Sequence, residues 1–222
     1  MRVPPAISYS GLSPPCLIRT PARPEESTDI IARTLGMLER NPRLGRVQQL
    51  RPRATSQSTP NLYSGNFGLE AFPLHTDLAH WFLPPRYVLL RCVVGHRSVR
   101  TLLLSLKAVT DRVPLITLRR ARFRIRRPMG DRFQFLSLVQ KTSTENIFRW
   151  DNLFLIPDNK EAEQFSNLMR VEFEETTEIS MERPGDTLIL DNWRTLHGRS
   201  AIKSDAVCRR IDRAYFGRLS NL

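Results

Sequence analysis

Several residue types that mark whole protein classes are scarce in this chain. Its 222 residues hold three cysteines, Cys16, Cys92 and Cys208, in no metal or redox spacing. That scatter excludes a disulfide framework and predicts a reducing, cytoplasmic setting. Long apolar runs are also missing: Tyr87 to Leu90 and Leu102 to Leu104 fall far short of the ~20 residues that cross a bilayer. The opening Met1-Arg2-Val3-Pro4-Pro5 lacks the apolar stretch of a secretory signal, which predicts a soluble protein with no membrane partner. Lysine occurs only at Lys107, Lys141, Lys160 and Lys203, so the net charge of +12 is carried almost entirely by arginine. Such a skew commonly follows genome base composition, and charge by itself speaks to solubility rather than fold.

The remaining composition, 41% hydrophobic and 25% charged, is that of an ordinary globular chain long enough for one full domain. Residues 1–64 read as a Pro-rich lead-in with one helix and a basic loop, and residues 65–222 as the core. Ser27-Thr28-Asp29 can cap a helix over 29–40, and Asn41-Pro42 ends it. From Phe72 onward, short β-type runs recur at regular spacing: 72–79, 87–94, 100–106, 121–126, 133–139, 146–150, 177–182, 187–191 and 208–216. Two helices interrupt them, one near Ser105 ending before Pro114, the other capped by Asp158 or Asn159 and running to about Glu174. Many short strands favour a sandwich or barrel over alternating strand and helix. The fold class expected is mainly β with flanking helices: a double-stranded β-helix (jelly roll, cupin-like), whose open mouth can seat a metal.

His75-Thr76-Asp77 carries the chemistry. On an extended strand, residues i and i+2 share a face, so this triplet presents an imidazole beside a carboxylate. Far downstream, Pro184-Gly185-Asp186 feeds an apolar strand whose polar end holds His197-Gly198-Arg199. Two histidines and one carboxylate form the facial triad that grips Fe(II) and leaves the opposite face open for O2 and a co-substrate. In Cys208 to Phe216, Arg209, Ile211 and Arg213 share one face. Guanidiniums turned inward require carboxylates, and a dicarboxylate such as 2-oxoglutarate supplies them.

Phe72-Pro73-Leu74-His75-Thr76-Asp77, Pro84 to Cys92, Gly185 to Asn192, His197-Gly198-Arg199 and Arg209 to Arg213 stand in one order over residues 65–217. In that order they resemble the TauD/TfdA-like (clavaminate-synthase-like) family of Fe(II)- and 2-oxoglutarate-dependent dioxygenases. The resemblance implies that His75, Asp77 and His197 hold Fe(II), and that Arg209 and Thr101 bind the distal carboxylate of 2-oxoglutarate. Arg213 would contact the co-substrate or an acidic group of the substrate, with Asn192 and Arg199 buttressing the histidine segment. The implied reaction is hydroxylation or desaturation of a small, carboxylate-bearing or amino-acid-like molecule. The approach to Thr101, Arg97-Ser98-Val99-Arg100, departs from the family's Gly-Gly-x-Thr.

Other features fit bland roles. His80 and His96 lie off the motif's register and read as surface or supporting groups, and Trp81 and Phe82 read as packing or as a substrate mouth. Arg149 and Asp151 can pair with one another or stand near the site. The run Arg119 to Arg127 could be an edge strand or a basic patch. The alternatives to a small-molecule enzyme are therefore a dioxygenase acting on nucleic acid or protein, or a non-catalytic jelly-roll binding protein. No base-stacking aromatic array accompanies the basic run, which argues against a nucleic-acid partner.

Overall fold

The structure is a computed structural model and describes residues 16–18, 24–39, 45–127, 135–143 and 145–220. The lead-in holds strand β1 (Cys16–Ile18), helix α1 (Thr28–Leu35), β2 (Gly36–Leu38) and β3 (Val47–Leu50). Next come helix α2 (Tyr63–Phe67), β4 (Phe72–His75), β5 (Tyr87–Val94) and β6 (Arg100–Ser105). An insert contains α3 (Leu106–Arg112), α4 (Leu115–Arg120), β7 (Arg122–Ile125), β8 (Phe135–Ser137), β9 (Val139–Lys141), β10 (Asn146–Phe148), β11 (Leu155–Pro157) and α5 (Lys160–Leu168). The chain returns through β12 (Thr177–Ser180), β13 (Thr187–Asp191), β14 (Thr195–Arg199) and β15 (Arg210–Leu219).

Two antiparallel sheets form the jelly roll. One has the order β1-β13-β5-β15, with β15 paired beyond that to β3 along its first half and β2 along its second. The other has the order β12-β6-β14-β4. Side-chain alternation along β5 explains how they stack. Val88, Leu90 and Cys92 point between the sheets, where they meet Leu103, Met181, Leu188, Leu190 and Ile211. Tyr87 and Leu89 point outward onto Ile31, Ala32 and Leu35 of α1. The outer face of the second sheet, through Leu104 and Leu196, packs on Phe123, Phe148, Trp150 and Phe165 of the insert. The molecule is thus four layers deep over the site: helix, sheet, sheet, insert. No helix among the described residues is long and apolar enough to cross a membrane.

Local differences from the sequence expectations have physical causes. The helix expected over 29–40 stops at Leu35, because residues 36–38 pair with the far end of β15. Gly36 is needed there: a Cβ would lie 2.4 Å from the Arg218 carbonyl oxygen. The polar stretch expected as loop supplies β3, where tertiary pairing with Ile211 to Ala214 overrides a weak local β signal. The expected strand over 121–126 begins one residue later, and Arg119 and Arg120 end helix α4 instead. Residues 133 and 134 of the expected 133–139 strand lie outside the described residues. Helix α5 is capped by Asn159, whose side chain accepts the Ala162 N–H, and it ends at Leu168 rather than near Glu174.

Candidate metal and co-substrate site

β4 and β14 are neighbours in the second sheet, and His75 is directly opposite His197. Their rings are 4.6 Å apart between centroids. Gly198 permits the approach, since a Cβ there would sit 2.7 Å from the Phe72 carbonyl oxygen. Strand β4 ends at His75, so Asp77 reaches the site from the turn beyond the strand rather than from its same face. Leu78 follows in the left-handed region at φ 55°, a conformation costing a β-carbon-bearing residue roughly 1–2 kcal/mol. Asn192 fixes this turn: its side chain accepts the Asp77 N–H (2.8 Å) and donates to the Asp77 and Pro85 carbonyls.

The three side chains converge. Nε2 of His75 is 3.7 Å from Asp77 Oδ1, Nε2 of His197 is 3.8 Å from Oδ2, and candidate ligand atoms of all three lie within 4.8 Å of one another. Two ligands each about 2.1 Å from one ion stand at most ~4.2 Å apart, so a small closure would seat a cation. His75 Nδ1 lies 2.9 Å from the Pro73 carbonyl, a bond that places the proton on Nδ1 and turns Nε2 inward as a lone-pair donor. The two rings differ: burial and the nearby His75 push the His197 pKa down to about 3, so that ring is neutral, whereas at His75 burial is outweighed by the Asp77 carboxylate, which raises its pKa. Burial opposes ionisation of Asp77, yet Arg213 and the two histidines outweigh it and hold the carboxyl well below the usual range. A buried carboxylate, two neutral-capable imidazoles and no thiolate form a donor set that suits a divalent transition metal such as iron.

Arg213 from β15 donates through one nitrogen to both Asp77 oxygens (2.9 and 3.1 Å) and through the other to Gln48 Oε1 (2.7 Å). The Tyr215 hydroxyl donates to Asp77 Oδ2 at 3.2 Å. Arg213 lines the cavity, and its partner in the structure is the Asp77 carboxylate rather than open space.

Beside the triad opens a cavity of about 350 Å³ whose wall includes Thr101, Arg209 and Ile211. Arg209 is 8% exposed, and among the described residues its guanidinium has neither a hydrogen-bond nor an ion-pair partner. Burial pulls its pKa down only to about 10, so it stays charged. A buried, unpaired cation on a cavity wall is a seat for an anion.

Tyr63 and Asp151 also line the cavity, the first unforeseen in the sequence and the second one of the two placements read for it. Tyr63, from α2, stacks on His75 with centroids 4.2 Å apart. Asp151 is 2% exposed, and one of its oxygens accepts the N–H groups of Leu153 and Phe154. Thr76 brings it there: between the two candidate ligands, its side chain turns away and accepts the Trp150 N–H, while its own N–H donates to the Trp150 carbonyl. His80, read as a surface or supporting group, lines the cavity and packs on Phe154.

Other residues expected near the site are engaged by the scaffold. Arg199 donates to the Gly68 and Glu70 carbonyls and lies over the Phe72 ring, buttressing the histidine strand. Arg149 does not pair with Asp151. It binds the carbonyls of Ala79, Trp81 and Phe82 and the side chain of Gln140. Neither Trp81 nor Phe82 lines the cavity. Much of the basic run is engaged internally: Arg122 and Arg124 face Asp158, and Arg126 donates to the Leu153 carbonyl.

No protein-family profile and no curated protein matches the chain. Solved structures share its fold. An asparagine oxygenase in complex with Fe(II), 2S,3S-3-hydroxyasparagine and succinate superposes with a TM-score of 0.62 at 18% identity, over 77% of this chain and 56% of that one. The non-heme iron oxygenase OrfP, with Fe, succinate and (3S)-hydroxy-L-Arg, gives 0.56 at 22% identity over 77% and 56%. PvcB from Pseudomonas aeruginosa gives 0.61 at 21% identity over 85% and 69%. The chain thus spans little more than half the length of the first two.

Proposed function

We propose that the chain is an Fe(II)- and 2-oxoglutarate-dependent oxygenase that hydroxylates or desaturates a small, amino-acid-like substrate. The observation that carries this reading is the pairing of a buried His75–Asp77–His197 cluster with the unpartnered guanidinium of Arg209 on one cavity wall. His75, Asp77 and His197 would hold iron. Arg209, with Thr101 on the same wall, would bind the distal carboxylate of 2-oxoglutarate through its planar fork. When bound, iron and 2-oxoglutarate supply the oxidising chemistry, coupling reduction of O2 to formation of succinate and CO2.

The protein's own residues orient and exclude. The Pro73 carbonyl sets the His75 tautomer, Asn192 fixes the turn that presents Asp77, and Arg213 and Tyr215 hold the carboxylate's rotamer. Asp151, beside Tyr63, offers a buried carboxylate to a substrate ammonium. The named substrates of the asparagine and arginine oxygenases of this fold bear such a group, which favours an amino-acid-like molecule here. A cavity of about 350 Å³ has room for a small substrate beside the co-substrate.

Anaerobic titration of the protein with Fe(II) and 2-oxoglutarate tests the reading through the visible charge-transfer band of the chelate. We expect a band in wild type that is lost in His75→Ala. No band in wild type, or an unchanged one in His75→Ala, sinks the assignment.

A further inference from the structure

The cavity's charges are strongly unequal. Five arginines and two aspartates line it. Three of the arginines have work already: Arg213 neutralises Asp77, Arg199 is spent on backbone carbonyls, and Arg209 faces the co-substrate seat. Iron as a dication and 2-oxoglutarate as a dianion would cancel one another. What remains for a substrate is Asp151 on one wall and Arg51 with Arg53 on another.

These last two are placed by the chain's own stiffness. After β3 the chain continues through Arg51-Pro52-Arg53 outside any helix or strand, and Gln49, Arg51 and Arg53 all line the cavity. Gln49 Oε1 accepts from Arg51 Nε at 2.8 Å. Pro52 fixes its own φ and holds Arg51 in the extended region. Both arginines are exposed at the cavity rim, and Arg53 has no partner among the described residues.

We propose that the substrate is an amino acid with a second acidic group, and that Arg51 and Arg53 select it. This deepens the oxygenase reading and rests on it. One ammonium meets Asp151, and two anionic groups meet two guanidiniums, so the charge pattern of a dicarboxylic or phosphorylated amino acid is complementary to the site. Asparagine leaves one rim arginine unmatched, and arginine adds a second cation where the field is already positive.

Calorimetric titration of the anaerobic protein loaded with Fe(II) and 2-oxoglutarate tests the idea, using L-glutamate, L-aspartate, O-phospho-L-serine, L-asparagine and L-arginine. At least one acidic ligand should bind about tenfold tighter than asparagine or arginine, a modest ratio because exposed arginines are screened. The glutamate and phosphoserine arms tell a carboxylate from a phosphate as the distal group. The preference should disappear in the R51E/R53E double variant and survive in R51K/R53K. Equal binding of all five ligands, no binding of any, or a preference that persists in R51E/R53E overturns the proposal. The underlying reading is checked apart from it, by titrating 2-oxoglutarate alone into wild type and Arg209→Met. The amino-acid titrations are repeated on metal-free protein, where an acid preference that depends on the rim arginines is read even if 2-oxoglutarate fails to bind.

Discussion

Two buried guanidiniums, Arg149 and Arg209, share the same burden and are treated oppositely. Burial pulls both pKa values down to about 10. Both terminal nitrogens of Arg149 are met, by three carbonyls of the loop after Asp77 and by Gln140, so that only its Nε lacks a partner, and it ties the insert to the candidate metal site. Arg209 has no such partner among the described residues and faces a cavity. A protein stabilises a buried cation when the cation is part of the scaffold. Where it leaves one unpaired against open space, a ligand is the missing partner.

The largest blow to this comparison would come from Arg149→Met. It strands three carbonyls, each costing about 1–3 kcal/mol when left unsatisfied, so we expect a loss of at least ~3 kcal/mol in the denaturant midpoint analysis. A midpoint near wild type would put Arg149 in the same class as Arg209. Arg209→Met should behave in reverse. Without ligand it costs nothing or gains about 1 kcal/mol, because an uncompensated charge leaves the interior. With 2-oxoglutarate at a hundred times its Kd, wild type should gain ~2.7 kcal/mol and Arg209→Met should gain none. The smallest effect is expected at Arg122→Ala, which breaks an exposed pair with Asp158 and should cost under about 1 kcal/mol by the same measurement. A larger loss there would mean that the basic run is more than a surface clamp.

The sequence carried the chemistry of this site better than its shape. His75, Asp77, His197 and Arg209 announce themselves by residue type and by neighbours such as Gly198, and the structure brings them together. The strand argument that joined His75 to Asp77 was too simple, since a left-handed residue at Leu78 and the amide of Asn192 aim the carboxylate from a turn. Tyr63 gave no local signal, and Asp151 read equally as an ion-pair partner of Arg149 or as a group near the site, because its place depends on the Thr76–Trp150 bonds, between residues 74 positions apart. β2 and β3 escaped for a related reason: three or four residues hold no period, and only their pairing to β15 makes them strands. Arg51 and Arg53 read as loop charges until the fold set them at a cavity rim.

β15 has a consequence for how the molecule comes into being. It lies between β5 and the β2–β3 pair, and it brings Arg213, Tyr215 and, one residue before its start, Arg209 to the cavity. It is the last of the described strands in chain order. Until it docks, β2 and β3 have no strand to pair with and Asp77 lacks the donors Arg213 and Tyr215. The geometry of the candidate metal site is thereby tied to completion of the core, so a chain in which β15 has not docked is poorly equipped to hold a cation there.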